Sequence, residues 1–534
     1  MGKYIFAGLV FFFFSTFSVA QDMELEKTYE ITTKAKRGNL AKADFEEGSQ
    51  TYNLIYVTKT NFNTAKFETF SFDKDFNFLK SDNQELEFND AKLKFPWWNF
   101  KGEEEIWNVA HPNLTGVLVI NKIAIHYSWL LGMYLPYKTL EKVKPRSDVG
   151  EKHYFLSGAT NEGNGELYII TGLKNDKDKY SYLKNIHFLR INNDLDVVKD
   201  IEIKFDYPQG LVVDKSFSDE DGNLLELVCL FAPIKKGDNP DPDKNKYTLI
   251  RVNANLEVLD RLSINSNSSF WAANEIVENP DDPNELVIYG PCYSDNDKYF
   301  DLLTKDEIEK TKFDAFQIMK IRDHQINYIT NTELDEFASK IHTPASQRKT
   351  PQYRGKKFEL ADALILSNGD IIITGQNWGG KLNPITGVRQ LAYKDIIGLH
   401  FGNTGNLLAQ FGIDTKENNA DFPTPQFVLE NSDHNSAYWM ICEVKGLKGE
   451  GLGFQLAGLG QMSSFLKKRL LIYPTMGRID LNNNNVSEVK VYGEGKYFLD
   501  DKYPFIQLPN ENKLILFGAD KSGNTIWFAR IRMD

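Results

Sequence analysis

Cysteine is scarce in this 534-residue chain: Cys229, Cys292 and Cys442 are all it holds. An odd count at such wide spacing builds no disulfide framework, and no Cys/His pair has zinc spacing. Thiols placed this way pack as small hydrophobes. Long apolar runs are equally scarce. The main one lies at residues 4–17, after Lys3 and before Ser18-Val19-Ala20. It is shorter than the ~20 residues a spanning helix needs. Small residues at −3 and −1 instead predict a secretory signal over 1–20, cleaved before Gln21. Gln21, not cysteine, stands directly after that cut, so no acylated terminus is expected.

Basic charge is in deficit, with 62 Lys and Arg against 74 Asp and Glu and a net charge of −12. That balance argues against nucleic acid or an anionic membrane face as the main partner. The most apolar stretch after the leader, 114–135, is broken by Asn121, Lys122 and His126, each costly in lipid. It reads as two paired strands, 117–120 and 123–125.

Catalytic signatures are missing as well. There is no Gly-x-Ser-x-Gly elbow, and the eight histidines are scattered along the chain. The glycines of 446–460 lack both the Lys-Ser/Thr of a Walker loop and a βαβ context. Asp241, Asp243 and Asn245 match the first ligand positions of an EF-hand, but Lys246 replaces its glycine and Val252 its bidentate glutamate. No catalytic residue, metal site or cofactor is expected. A weak calcium site is the alternative to a solvated loop at 238–243.

What the chain does have is an alternation of two hairpins from about residue 160 onward. One kind joins two strands through a polar turn: 186–203 around Asn192, 247–264 around Asn253, and 396–413 around Gly402. The other places a Gly- or acid-rich turn before an apolar strand that often ends in glycine: 165–172, 221–231, 285–290, 369–375 and 512–518. Two hairpins make four strands per repeat, and further strands occupy 51–135. This pattern resembles the β-propeller class. Residues 520–527 come near the Asp-box of sialidase-like propellers with one residue too many, and no run of Gly-His and Trp-Asp dipeptides occurs. The resemblance therefore stops at the class. It implies an all-β fold: a single propeller over 21–534 with about seven four-stranded blades, six and eight also open. The N-terminal strand is expected to complete the blade made by the C-terminal residues.

Three insertions interrupt the pattern. Residues 302–316 carry a helix capped by Thr304 with Glu307 in capping-box spacing. A short helix is expected over 332–342, leading into a loop that ends at 357. Residues 446–471 form a Gly-rich insertion.

Two local anomalies point to binding. Trp97, Trp98, Trp107 and Trp129 are four of eight tryptophans within 33 residues. Pro96 before the first pair suggests a loop or edge, suited to a sugar platform or a protein hot spot; the alternative is filling of the first blades. Arg348, Lys349, Arg354, Lys356 and Lys357 fall within ten residues of an acidic protein, between Pro344 and Gly355 and just beyond. Such cations either sit solvated or steer an acidic partner. Trp97, Trp98, Arg348, Lys349 and Arg354 are the candidate partner-binding residues.

The expectation is a non-enzymatic exported propeller, periplasmic or extracellular, that binds an envelope or outer-membrane protein. A soluble accessory or plug subunit of an outer-membrane secretion machine is one concrete form. The competing class is a carbohydrate-active enzyme, a glycoside hydrolase or lyase. Its carboxylates would converge in the funnel from different blades, where spacing cannot reveal them.

Overall fold

Asn and Asp open most of the hairpin turns, and their side chains hold the turns shut. The Asn192 carboxamide oxygen accepts the backbone N–H groups of Asp194 and Asp196 at 3.0 and 2.9 Å. Asn253 does the same for Asn255 and Glu257, and Asp219 for Asp221 and Asn223. The fourth residue of such a turn is left-handed. Gly116, Gly222 and Gly523 take that place in three turns, whereas Phe76, Leu195 and Leu256 take it in three others with φ of 58°, 66° and 53°. A non-glycine residue pays about 1–2 kcal/mol there. All three are buried, and burial of a side chain that size returns about 1.5–3 kcal/mol. Packing therefore holds these turns.

The computed structural model describes residues 23–533 except 62, 95–104, 129–132, 175–179, 236–242, 281, 295–298, 301–306, 308–310, 383–388, 415–422, 446–470, 501–504 and 509–511. The described strands fall into antiparallel sheets that run in chain order, except where Met23–Glu30 joins the last strand and Ile341–His342 pairs in parallel with Leu407–Ile413. Blade 1 is Asn39–Glu46, Thr51–Thr60, Thr64–Phe72 and Phe78–Glu87. Blade 2 has three strands, Glu105–Pro112, Leu118–Ser128 and Met133–Val143. Blade 3 is His153–Thr160, Leu167–Leu173, Asn185–Ile191 and Val197–Lys204. Blade 4 is Gln209–Ser218, Leu224–Pro233, Lys246–Asn253 and Val258–Asn265. Blade 5 is Glu275–Asn279, Asp282–Cys292, Ala315–Arg322 and Gln325–Glu333. Blade 6 is Phe358–Ile365, Ile371–Leu382, Arg389–Phe401 and Leu407–Ile413.

Blade 7 is Gln426–Glu430, Ser436–Lys445 and Leu471–Asp480, edged by the short Asn485–Val486 and Lys490–Val491. Blade 8 is Phe505–Leu508, Lys513–Asp520 and Thr525–Arg532, and its fourth strand is Met23–Glu30. Tyr497–Leu499 bridges blades 7 and 8 into one continuous sheet. The chain is thus a β-propeller, with eight blades among the described residues.

Apolar side chains alternate along the strands, so each inner strand feeds two joints. Ile169 and Leu189 meet Leu118 and Ile120 of blade 2, while Ile170 and Phe188 meet Cys229 and Phe231 of blade 4. Similar clusters join blades 4–5, 5–6, 6–7, 7–8 and 8–1. Blade 1 differs on its second face. Two short helices flank that blade, α1 (Thr33–Arg37) before it and α2 (Phe88–Lys94) after it. On the second face α2 buries Phe88 and Ala91 against Ile55, Ala65 and Phe67. No apolar cluster among the described residues joins blades 1 and 2.

First strands of successive blades lie against one another from blade 2 to blade 7 and so line the axis. The first and third turns of each blade leave one face of the disc. The second turns and the links between blades leave the other.

Some local expectations are corrected. Residues 117–125 are not two paired strands: Leu118–Ser128 is continuous, with Asn121 and Lys122 laddered to Val109 and Asn108. Thr332 does not start a helix, because it is buried in the ladder opposite Phe316. The helix α3 is Leu334–Ser339. Residues 315 and 316 belong to the third strand of blade 5 rather than to the preceding insertion. Apart from Glu307, whose carbonyl accepts the Thr311 N–H at 3.0 Å, the 302–310 helix lies outside the described residues. So do the leader and the 446–470 insertion.

Candidate functional site

The link from blade 5 to blade 6 takes an unusual route. After α3, Ile341–His342 pairs in parallel with Leu407–Ile413, the outer strand of blade 6. The chain therefore swings outside blade 6 before it returns to the axis at Phe358. Residues 337–358 contain Lys340, Arg348, Lys349, Arg354, Lys356 and Lys357 and no Asp or Glu. They form a strap, and it is tied down along its length. Near its start, the Ser346 backbone N–H and hydroxyl donate to the Glu488 carboxylate beyond blade 7's edge. Lys349 pairs with Asp414 at 3.0 Å, which holds its ammonium above the ordinary lysine range, and the Gln347 carboxamide oxygen accepts the Asp414 N–H at 2.8 Å.

Further on, Pro351 packs on Gly412, where an added Cβ would lie 2.4 Å from the Pro351 carbonyl oxygen. Tyr353 is buried against Phe316, Phe337 and Phe358. The Gly355 carbonyl accepts the Phe313 N–H of blade 5 at 2.8 Å, and Lys357 stands over the Trp378 ring at 5.6 Å. Arg348, Arg354 and Lys356 remain exposed with no ion pair among the described residues. Of the sequence candidates, Arg348, Lys349 and Arg354 are brought onto this one surface. Trp97 and Trp98 lie outside the described residues, and Trp107 is half exposed in blade 2.

The axis carries a second set of groups. Ser157 donates to Asp214 at 2.8 Å across blades 3 and 4, and Lys215 pairs with Glu275 at 2.6 Å across blades 4 and 5. Asp362 accepts the Val428 N–H at 2.9 Å across blades 6 and 7. Burial raises the carboxyls of Asp214 and Asp362 above the usual range. Spacing gives no hint of either, since Asp214 and Asp362 meet partners 57 and 66 residues away in sequence.

The structure also gathers a serine, a histidine and a carboxylate that sequence could not connect. Ser367 Oγ donates to Glu430 at 2.5 Å and lies 2.7 Å from His434 Nδ1, itself 3.1 Å from Glu430. A catalytic histidine holds its serine and its carboxylate on different ring nitrogens. Here both fall on Nδ1, so the cluster ties the turns of blades 6 and 7 together and activates no hydroxyl. Glu430 and His434 border an open cleft of about 270 Å³ at the joint of blades 7 and 8.

Comparison with known proteins adds little. No family model and no curated protein matches the chain. Among solved structures, it is similar to the WD40 domain of SCAP from fission yeast at 8% identity, covering 95% of this chain and 98% of that one, with a TM-score of 0.26. A point mutant of the NanB sialidase from Streptococcus pneumoniae gives 9% identity over 96% and 70% with a TM-score of 0.26. Rhamnogalacturonan lyase YesW gives 9% over 91% and 88% with a TM-score of 0.25. Scores this low carry no functional argument. Sheet order carries the fold.

Two buried clusters pair opposite charges. Arg251 is held by Glu226 at 2.9 Å and Asp260 at 3.2 Å, and Lys320 by Glu285 at 2.7 Å. The three thiols are buried, and burial pushes their pKa values up, that of Cys442 to about 12. Among the described residues no group of three His, Cys, Asp or Glu is arranged to hold a metal ion. Asp241 of the EF-hand-like run lies outside them.

Proposed function

We propose that this chain is an exported, non-enzymatic propeller that docks another protein of the cell envelope through its rim. A soluble accessory or plug subunit of an outer-membrane secretion machine is the concrete form. The observation that carries the reading is the strap: exposed cations on a segment without acids, fixed at both ends and in the middle. A backbone held in place before binding loses little freedom when a partner docks, which favours association. The signal-like residues 1–20 support export. No described helix is long and apolar enough to cross a membrane. Chemical crosslinking in native envelopes, followed by purification through this chain, tests the proposal. One envelope protein should be recovered in near-stoichiometric yield; a chain recovered without any partner would overturn it.

A second reading has its own observation. Asp214 and Asp362 are raised carboxyls on axial strands, the setting in which a carbohydrate-active enzyme keeps an acid protonated. Their present partners are structural: Ser157 for one, the backbone of Val428 and Ala363 for the other. Turnover on a polysaccharide panel, abolished by both Asp214→Asn and Asp362→Asn, would put this reading first.

A further inference from the structure

We infer that the strap binds an extended acidic polypeptide segment, not a compact anion. This rests on the reading of the strap as the partner-binding surface and adds the chemistry and form of what it takes.

The argument starts from where the free cations stand. Arg348 follows Ser346, which is bonded to Glu488 past the edge of blade 7. Arg354 precedes Gly355, whose carbonyl is bonded to Phe313 in blade 5. Lys356 comes one residue later. Between them, Pro351 and Tyr353 are pinned to blade 6. The cations are thus spread across blade 6, from its blade 7 side to its blade 5 side, as the strap runs from the outer strand toward the axis. A phosphate or a single carboxylate engages one end of such a row. A polymer with repeated carboxylates engages all of it.

Charge and apolar surface narrow the polymer class. The strap has no acid of its own between 337 and 358, and the carboxylates of Glu336, Asp414 and Glu488 that touch it already serve its anchoring. Acidic saccharide polymers share the carboxylate. Sugar rings, however, are gripped by stacking on exposed aromatic faces. Tyr353 within the strap and Trp378 of blade 6 beneath its end are 4% and 5% exposed. Arginine forks suit side-chain carboxylates of Asp and Glu without any such platform. The segment must be extended, because the row crosses blade 6 rather than enclosing a pocket.

The test uses the full mature chain and a fluorescent peptide of ten glutamates, read by anisotropy across a salt series. The peptide should bind, and binding should weaken steeply with salt. Arg348→Ser, Arg354→Ser and Lys356→Ser together should weaken it about tenfold or more and flatten the salt dependence. The three side chains are exposed, so the melting temperature should hold. Equal binding of peptide by the triple variant would overturn the inference, as would full displacement by inorganic phosphate at matched ionic strength. Tighter binding of polygalacturonate than of the peptide would overturn the choice of polypeptide. If the variant still captures the native envelope partner, the strap assignment fails while the docking function stands.

Discussion

His153 shows how one residue sets a pH limit on the fold. It lies in the first strand of blade 3, 1% exposed, with Nδ1 2.9 Å from the Thr171 hydroxyl. Burial first, and the nearby His187 ring second, push its pKa down from 6.5 to about 4, against an opposing pull from Asp200. The unfolded chain binds a proton on this group at higher pH than the folded one. Its contribution is therefore fully present above about pH 6.5 and is lost as pH falls toward 4. At about 1.4 kcal/mol per unit, the loss across that window is about 3 kcal/mol. Urea unfolding at pH 7 and pH 4.5 should show it, and His153→Gln should flatten the difference. An equal pH slope in the variant would refute this account of His153. At the same scale, Asx turns are legible in the sequence because each is closed within five residues. Ser367 with His434, or Ser157 with Asp214, is not, because only the folded blades bring them together.

Among elements, the recurrent glycine that follows the apolar run of the second strand has a physical reason. A Cβ on Gly172, Gly290, Gly375 or Gly518 would fall 1.7, 2.3, 2.4 or 1.9 Å from a neighbouring segment. At Gly172, Gly290 and Gly518 the atom it meets is a backbone carbonyl oxygen of a crossing chain. Gly518→Ala should cost about 1–3 kcal/mol through the displaced Phe498 backbone. Gly379→Ala should not, because a Cβ there meets only the flexible Lys394 ammonium at 3.6 Å. Equal melting temperatures for the two variants would contradict the close-approach argument. The hairpins around Asn192, Asn253 and Gly402 were readable because turn and strands lie together in sequence. Blade 2 was not: its middle strand crosses Asn121 and Lys122 without a turn, and polar residues inside a continuous strand look like a break.

For the whole molecule, closure was the readable property and blade number the loosely bounded one. The sequence pattern centres on seven blades and leaves six and eight open; eight are present among the described residues, because residues 39–143 supply two and the C-terminal strands combine with the N-terminal one. That clasp runs from Met23 opposite Ile531 to Glu30 opposite Thr525. It is reinforced by Trp527 donating to Glu26 at 2.7 Å and by Arg530 paired with Glu24 at 3.2 Å. A chain that starts at residue 31 leaves Thr525–Arg532 as an uncovered edge. It should melt earlier and associate at high concentration, measured by calorimetry and sedimentation. Unchanged melting and a monomer at all concentrations would contradict closure by the clasp.

Rim and axis make opposite demands on where a partner is found. If docking is the function, contact belongs to the strap and not to a distant blade. A photo-crosslinking residue placed at Arg354, with a control at Lys199 on the outer strand of blade 3, measures this in living cells. The expected result is a discrete adduct with one envelope protein from position 354 and none from position 199. No adduct at 354, or equal adducts at both positions, would contradict docking through the strap.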